Sequence, residues 1–465
     1  MAHLLISAAH KSSGKTSISV GIAAALSRRG LSVQPFKKGP DYIDPLWLGR
    51  AAGRPCRNLD FYTMGKREIL ELFGRHAAGA DFSLIEGNKG LYDGVDVAGA
   101  DSNAALARLL DAPVLLVIDA RGMTRGVAPL IRGYQDFDPA VSIKGVILNK
   151  VGGPRHEGKL RASIERYTDV PVLGAVRRDP EIEIRERHLG LVPANEESGA
   201  EAKIAHLAET VAEQVDLDRI VALAAEASPP AAPTVPFATP RAADLRIGVA
   251  RDAAFGFYYP DDLEAFAASG AQLVPFDTLH DQCLPDVDGL LIGGGFPEVH
   301  IAALSANHSL RASIKAAIEG GLPAYAECGG LMYLARSLTW RGESQEMVGV
   351  IPGDAVMNEH PVGRGYVQFE ETGQGSWLLD PDAGVGTPAR LSAHEFHYAS
   401  LENLPGDLAY AYRMLRGAGV DGQNDGIVIG NLTASFMHLR DVRSTPWVGR
   451  FVAFVRTKTA PDPSG

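Results

Sequence analysis

The sequence predicts an α/β protein of two domains, and three observations carry that expectation. Short apolar runs alternate with amphipathic stretches from the N-terminus to about Gly174. A proline- and alanine-rich segment, SPPAAPTVPFATPRA, interrupts the pattern, and a second alternation begins at LRIGVA. Strands alternating with helices build a parallel sheet covered on both faces. A chain of 465 residues also exceeds one ordinary core, the usual domain being about 100–200 residues.

In chain order, HLLISAA reads as a strand, SISVGIAAALSRRG as a helix, and SVQPFK, FSLIEG, APVLLVIDA, GVILNK and VPVLGAV as further strands. One helix is expected around Ala202 to Ala227, so the first domain is residues 1–225 and the linker 226–243. The second domain, 244–456, contains LRIGVA, AQLVPF, GLLIGGG, LPAYAEC and LTASFMHL as strands, and the tail 457–465 is expected to fray. Hydrophobic residues at 46% and charged residues at 22% are those of globular domains with real cores.

A formal charge of −11 argues against a nucleic-acid or anionic-membrane surface, which needs a basic face, while leaving room for a local phosphate pocket. Cys56, Cys283 and Cys328 lie far apart without metal-ligand spacing, so neither a disulfide framework nor a zinc site is expected. The first apolar run is too short for a signal peptide and nothing later approaches a membrane-spanning length. The expectation is a soluble, unprocessed cytoplasmic protein.

The strand HLLISAA runs into HKSSGKTS and then a helix, with Gly14, Lys15 and Thr16 as the GKT of a Walker-type loop, although Ala9 replaces its first glycine. In such a loop backbone N–H groups cradle phosphates, the lysine reaches the terminal phosphates and the hydroxyl holds Mg²⁺. Glu86 ends an apolar strand, where a carboxylate at the sheet edge faces nucleotide and Mg²⁺. The segment KKGPDYIDPLW sets Asp41 and Asp44 beside Lys37 and Lys38, a cluster suited to metal, phosphate and carboxylate together, or to a mixed-charge surface. Asp93, in GLYDG, sits in a loop that a plain turn would equally explain. Asn149, in GVILNK, is assigned to the nucleotide site.

In LPAYAECGGLMYL, Cys328 stands between a strand and a helix-like segment, the geometry of a nucleophile elbow. A base is required, and His438, at the end of LTASFMHL, is the candidate. LLIGGGFPE offers backbone N–H groups of Gly293, Gly294 and Gly295 for an oxyanion, with Gly294 and Gly295 assigned. HEFHYAS, with His394, Glu395 and His397, lacks zincin spacing and is expected to face substrate or the other domain.

Together VQPFKKGPDYIDP, GRPCRNLD, IEGNKGLYDG, GVILNKVG, GGGFPE, AECGGLMYL and HEFHYAS resemble the cobyrinic acid a,c-diamide synthase family of glutamine-dependent tetrapyrrole amidotransferases, over nearly the whole chain. The resemblance implies a dethiobiotin-synthetase-like ATP domain joined to a triad-type glutaminase. It implies phosphorylation of a peripheral carboxylate by ATP, followed by displacement of phosphate by ammonia from L-glutamine. Carried over, Lys15 and Thr16 match the P-loop, Glu86 a Mg²⁺ ligand, and Asp41, Asp44 and Asp93 the carboxylate and Mg²⁺ region. Asp44 is thereby both a metal and a substrate candidate, Cys328 the nucleophile and His438 its base. The implied partners are a tetrapyrrole, ATP and glutamine, and a homodimer is allowed.

Three departures stand out. Relatives commonly read EGVMGLYDG where this chain has Asn88 and Lys89, which assigns Lys89 to the acceptor pocket. Lys37-Lys38 replaces a usual lysine-valine, and Lys11 lies inside the phosphate loop. Arg440 stands two residues after His438, where amidotransferase triads place a glutamate and this family often has another histidine, so a Cys-His dyad is expected and no third member is assigned. The acceptor reading stays open between cobyrinic or hydrogenobyrinic acid and sirohydrochlorin, its nickel form or sirohaem. A partitioning ATPase of the deviant Walker type is disfavoured by His10, where those proteins carry a signature lysine, and leaves a cysteine glutaminase unexplained.

Overall fold

A computed structural model describes residues 2–187, 190–228, 241–377 and 390–459. The chain forms two compact units, residues 1–237 and 238–465. Residues 229–240 of the expected linker and 460–465 of the expected tail lie outside the described residues.

In the first unit, β1 (Ala2–Ala8), β2 (Val33–Lys38), β3 (Arg57–Leu59), β4 (Phe82–Glu86), β5 (Val114–Asp119), β6 (Ile143–Val151) and β7 (Val172–Arg177) form one sheet. Its order is β3-β2-β4-β1-β5-β6-β7, with every pair parallel. β1, β4 and β5 are mostly apolar and buried along almost their whole length, as helices on both faces require. The helix Lys15–Arg28 packs against the helix Ala200–Gln214, and Gly21 permits it: a Cβ there would lie 2.4 Å from Val211 Cγ2. The single helix expected near 202–227 is two, Ala200–Gln214 and Leu217–Ala225. Asp216 separates them by capping the second, its carboxylate accepting the Arg219 N–H at 2.9 Å. β8 (Glu186–Arg187) and β9 (Gly190–Leu191) pair as a short antiparallel ribbon.

Parallel strands share one carboxyl edge. The register sets Glu86 beside Ile6 of β1 on one side and beside Lys37 of β2 on the other. The phosphate loop, the Lys37-Lys38 pair and Glu86 therefore meet at that edge although 23 to 70 positions separate them in sequence.

The second unit contains β10 (Leu245–Ala250), β11 (Phe255–Phe257), β12 (Ala271–Phe276), β13 (Gly289–Ile292), β14 (Gly294–Gly295) and β15 (Ala324–Glu327). Then follow β16 (Ala335–Trp340), β17 (Glu343–Glu346), β18 (Ile351–Met357), β19 (Gly363–Glu371), β20 (Leu391–His397), β21 (Ala399–Glu402), β22 (Ala409–Arg416), β23 (Asn424–Ile429) and β24 (Leu432–Ser435). The main sheet runs β12-β10-β13-β15-β24-β23-β22-β19-β20. It is parallel through β24 and antiparallel beyond. Leu290 and Ile292 join one apolar cluster while Leu291 and Tyr325 join another, so β13 and β15 are buried on both faces. The antiparallel half is absent from the sequence expectation because β19 and β22 mix buried and exposed positions and lack a continuous apolar run. Residues 457–459, expected to belong to the tail, lie in the helix Trp447–Thr459.

Candidate active sites

At the carboxyl edge of the first sheet, residues 9–14 link β1 to the helix Lys15–Arg28. Gly14 adopts φ 84°, and a Cβ there would lie 2.2 Å from Asn149 Nδ2, so glycine is required twice over. Ser12 also has positive φ, 65°. The loop is braced from β6: Asn149 Nδ2 donates to the Ser13 carbonyl at 2.9 Å and Lys150 Nζ to the Ser12 carbonyl at 3.1 Å. Asn149 Oδ1 accepts the Lys150 N–H, so both ends of this side chain are engaged within the protein. The hydroxyl of Tyr134 donates to the Ala9 carbonyl.

Lys37 is the centre of the site. It is 1% exposed, and Nζ donates to Asp44 at 2.5 Å, to Glu86 at 2.7 Å and to the Gly87 carbonyl at 3.3 Å, with Asp41 at 4.0 Å. Burial works against the ammonium, but Asp44, Glu86 and Asp41 outweigh it and hold Lys37 charged. Burial likewise opposes the Asp44 carboxylate, and Lys37 keeps it below the usual range. Asp41 is pushed up to about 7 by burial and by Asp44; its Oδ1 accepts the N–H groups of Ile43 and Asp44 and opens the helix Ile43–Ala52. Thr16 Oγ1 donates to Glu86 Oε1 at 2.9 Å. Burial, then the charge on Lys37, brings Lys15 down to about 8. Asp93 Oδ2 accepts the Gly90 N–H at 2.9 Å and shapes the loop that carries exposed Lys89, whose φ is 54°.

Lys15, Thr16, Asp41, Asp44 and Glu86 gather at this edge, with Lys37 between the carboxylates. Lys37 was legible only as part of a mixed-charge cluster. Its bridging position follows from the β2–β4 register, which no local motif reports.

In the second unit, Cys328 follows β15 directly and precedes the helix Gly329–Leu334 with φ 49° and ψ −102°, a strained conformation that turns the side chain out of the sheet. The glycines after it are dictated by packing. A Cβ on Gly330 would lie 2.1 Å from the Ile292 carbonyl oxygen, and one on Gly329 would lie 3.0 Å from Gly295 N. Gly295 therefore abuts the turn at Cys328, whereas the Gly293 N–H is taken by the Tyr258 hydroxyl at 3.0 Å.

His438 lies three residues beyond β24 rather than within a strand, and its N–H donates to the His394 carbonyl at 2.8 Å. Its imidazole makes a side-chain hydrogen bond with Cys328, and its Nδ1 is 3.3 Å from Glu327 Oε2. Burial opposes its protonation, but Cys328 and Glu327 push it up to about 10. The His394 ring stacks on it with centroids 4.9 Å apart, and burial and the charge on His438 keep His394 well below the usual range. His397 stacks on Phe436 at 4.0 Å. Both histidines of HEFHYAS are thus buried and pack on the segment that carries His438. Asp425 completes that support by accepting the N–H groups of Phe436 and Met437, each at 3.0 Å.

Glu327 approaches His438, and Arg440 turns to Asp261 at 3.1 Å and over the Tyr259 ring at 4.9 Å. Sequence reasoning missed Glu327 because it sought a carboxylate after the histidine; the letters AEC were its one signal.

A P-loop parallel-sheet unit followed by a cysteine elbow with a paired histidine defines a nucleotide-dependent glutamine amidotransferase. Residues 5–192 match the CobQ/CobB/MinD/ParA nucleotide binding domain, and residues 246–442 the CobB/CobQ-like glutamine amidotransferase domain. The cobyrinate a,c-diamide synthase of Magnetococcus marinus is 48% identical over 461 residues, covering 98% of this chain and 97% of the relative. Those of Methanosarcina acetivorans and Listeria monocytogenes serotype 4b are 42% and 40% identical, covering 97% and 94% of this chain and 94% and 96% of the relatives. The chain belongs to the cobyrinate a,c-diamide synthase family. It is a glutamine-hydrolysing carbon–nitrogen ligase. No helix among the described residues is long and apolar enough to cross a membrane.

Proposed function

We propose that the chain amidates the a and c acetates of a tetrapyrrole, cobyrinic or hydrogenobyrinic acid in cobalamin biosynthesis, using ATP and glutamine. The observation that best supports this reading is the cluster of Lys15, Thr16, Lys37, Asp44 and Glu86 at one sheet edge, in a chain that also carries Cys328 and His438. The acceptor carboxylate takes the terminal phosphoryl group of ATP, and ammonia then attacks the acyl phosphate, forming the C–N bond as the C–O bond to phosphate breaks. Lys15 and the loop N–H groups hold the phosphates, and Lys37 keeps Asp44 and Glu86 in place.

Thr16 Oγ1, Asp44 and Glu86 are hard oxygen donors, and Glu86 Oε2 is buried with no hydrogen-bond partner among the described residues, so the set fits Mg²⁺. When bound there, the ion supplies neutralisation of phosphate charge. Asp41 and Asp93 line the acceptor side, and Lys89 pairs with an acceptor carboxylate that does not react.

In the glutaminase, the Cys328 thiol gives its proton to His438 and attacks the glutamine amide carbon. The C–N bond breaks, ammonia leaves with that proton, and water hydrolyses the thioester to glutamate. The N–H groups of Gly294 and Gly295 face the oxyanion. Mass spectrometry of cobyrinic acid, hydrogenobyrinic acid, sirohydrochlorin, its nickel form and sirohaem after incubation with ATP, Mg²⁺ and glutamine tests the reading. Two amides gained on a corrin support it, whereas amidation confined to a sirohydrochlorin-type ring overturns the acceptor.

A further inference from the structure

We propose that Glu327, the residue immediately before the nucleophile, is the positioning carboxylate of the glutaminase, orienting His438 through Nδ1 so that Nε2 meets the Cys328 thiol. Alternation along β15 sends Tyr325 and Glu327 to the same face of the sheet. The Tyr325 hydroxyl donates to Glu327 Oε1 at 2.8 Å, and the Leu439 N–H donates to the same oxygen at 2.8 Å. Two donors thus hold one carboxylate oxygen and turn the other, Oε2, towards His438 Nδ1 at 3.3 Å.

The backbone delivers both partners together. β15 pairs with β24 so that Glu327 lies opposite Ser435, and the Cys328 N–H donates to the Ser435 carbonyl at 2.7 Å. Tyr325 is itself clamped among Trp377, Trp447 and Phe451, with ring centroids 4.9–6.5 Å away. Glu327 is 6% exposed, and a buried carboxylate is retained only with good partners. A carboxylate accepting from Nδ1–H fixes the imidazole tautomer and stabilises the imidazolium, as in any nucleophile–histidine–carboxylate array. The position two residues after the histidine is closed to this role, because Arg440 is held by Asp261 and Tyr259. The titratable and charged groups around His438 are Cys328 and Glu327 from the elbow, His394 from β20 and Arg440 on its own segment.

The inference rests on the glutaminase reading, which wild-type glutamine turnover tests by itself. The variant-to-wild-type ratio tests Glu327. Glu327→Gln should lower glutamine-driven kcat about 100-fold, leave amidation from high free ammonia unchanged, and move the alkaline limb of the glutaminase pH profile to lower pH. Glu327→Asp should restore part of the rate, and Tyr325→Phe should shift the profile in the same direction by less. Equal loss with glutamine and with ammonia means a purely structural role and overturns the proposal. So does a reduced rate with an unmoved pH profile in the folded Glu327→Gln and Tyr325→Phe proteins.

Discussion

On the proposed glutaminase mechanism Cys328→Ala removes the thiol that opens the glutamine amide, so amidation from glutamine should vanish while amidation from high free ammonia persists. Product formation with each nitrogen source measures this, and loss of both would mean that Cys328 chiefly supports the fold. Lys37→Met acts differently. It leaves Glu86 and Asp44 buried without their cation, which destabilises the first unit by about 3–5 kcal/mol and removes synthesis with either nitrogen source. A denaturant midpoint equal to that of the wild type would contradict it. Lys89 is exposed, so its substitution should not touch stability. If Lys89 pairs with an acceptor carboxylate, Lys89→Met raises the KM for the tetrapyrrole about tenfold at unchanged nucleotide affinity. Unchanged kinetics and product pattern would make it an ordinary solvated lysine.

At the scale of elements, the turn after β15 depends on three backbones approaching closely. In Gly330→Ala the new methyl meets the Ile292 carbonyl at 2.1 Å, and the helix Gly329–Leu334 must shift to relieve it. Glutaminase turnover should fall by about tenfold or more through misplacement of Cys328, with ammonia-driven synthesis intact. Full glutaminase activity would show that β13 yields instead. This element was legible as an elbow because its requirements are local: a strand, a cysteine and two glycines. The support behind His438 was not legible. His394, His397 and Asp425 reach residues 436–438 from β20 and from β23, and their spacing in sequence carries no trace of it.

Each unit has its own core, and the two sites carry opposite proton linkages. The folded-state value of Lys15 is lowered to about 8 from an ordinary 10.5. Between those pH values the unfolded chain holds more protons at Lys15, and this site's contribution to stability rises with pH. His438 is raised to about 10 from 6.5, so its contribution is complete below pH 6.5 and is lost as pH rises through 10. Native-state hydrogen exchange, resolved by unit between pH 8 and 10, should therefore show the stability of wild type relative to Lys15→Met rising with pH and that of wild type relative to His438→Gln falling with pH. Slopes of the same sign would refute the assignment of one of the two.

The sequence by itself determined two α/β units, a phosphate loop at Lys15 and Thr16, and a cysteine elbow at Cys328. Each is written in local signals: apolar alternation, a GKT between a strand and a helix, a cysteine where a strand turns into a helix. Tertiary structure alone decided that Lys37 bridges Asp44 and Glu86, that Arg440 is occupied elsewhere, and that Glu327 meets His438 across 111 positions of chain. Those contacts depend on which strands become neighbours and in what register. A one-residue slip would send Lys37 or Glu327 to the opposite face of its sheet, and burial of both faces holds the register in place.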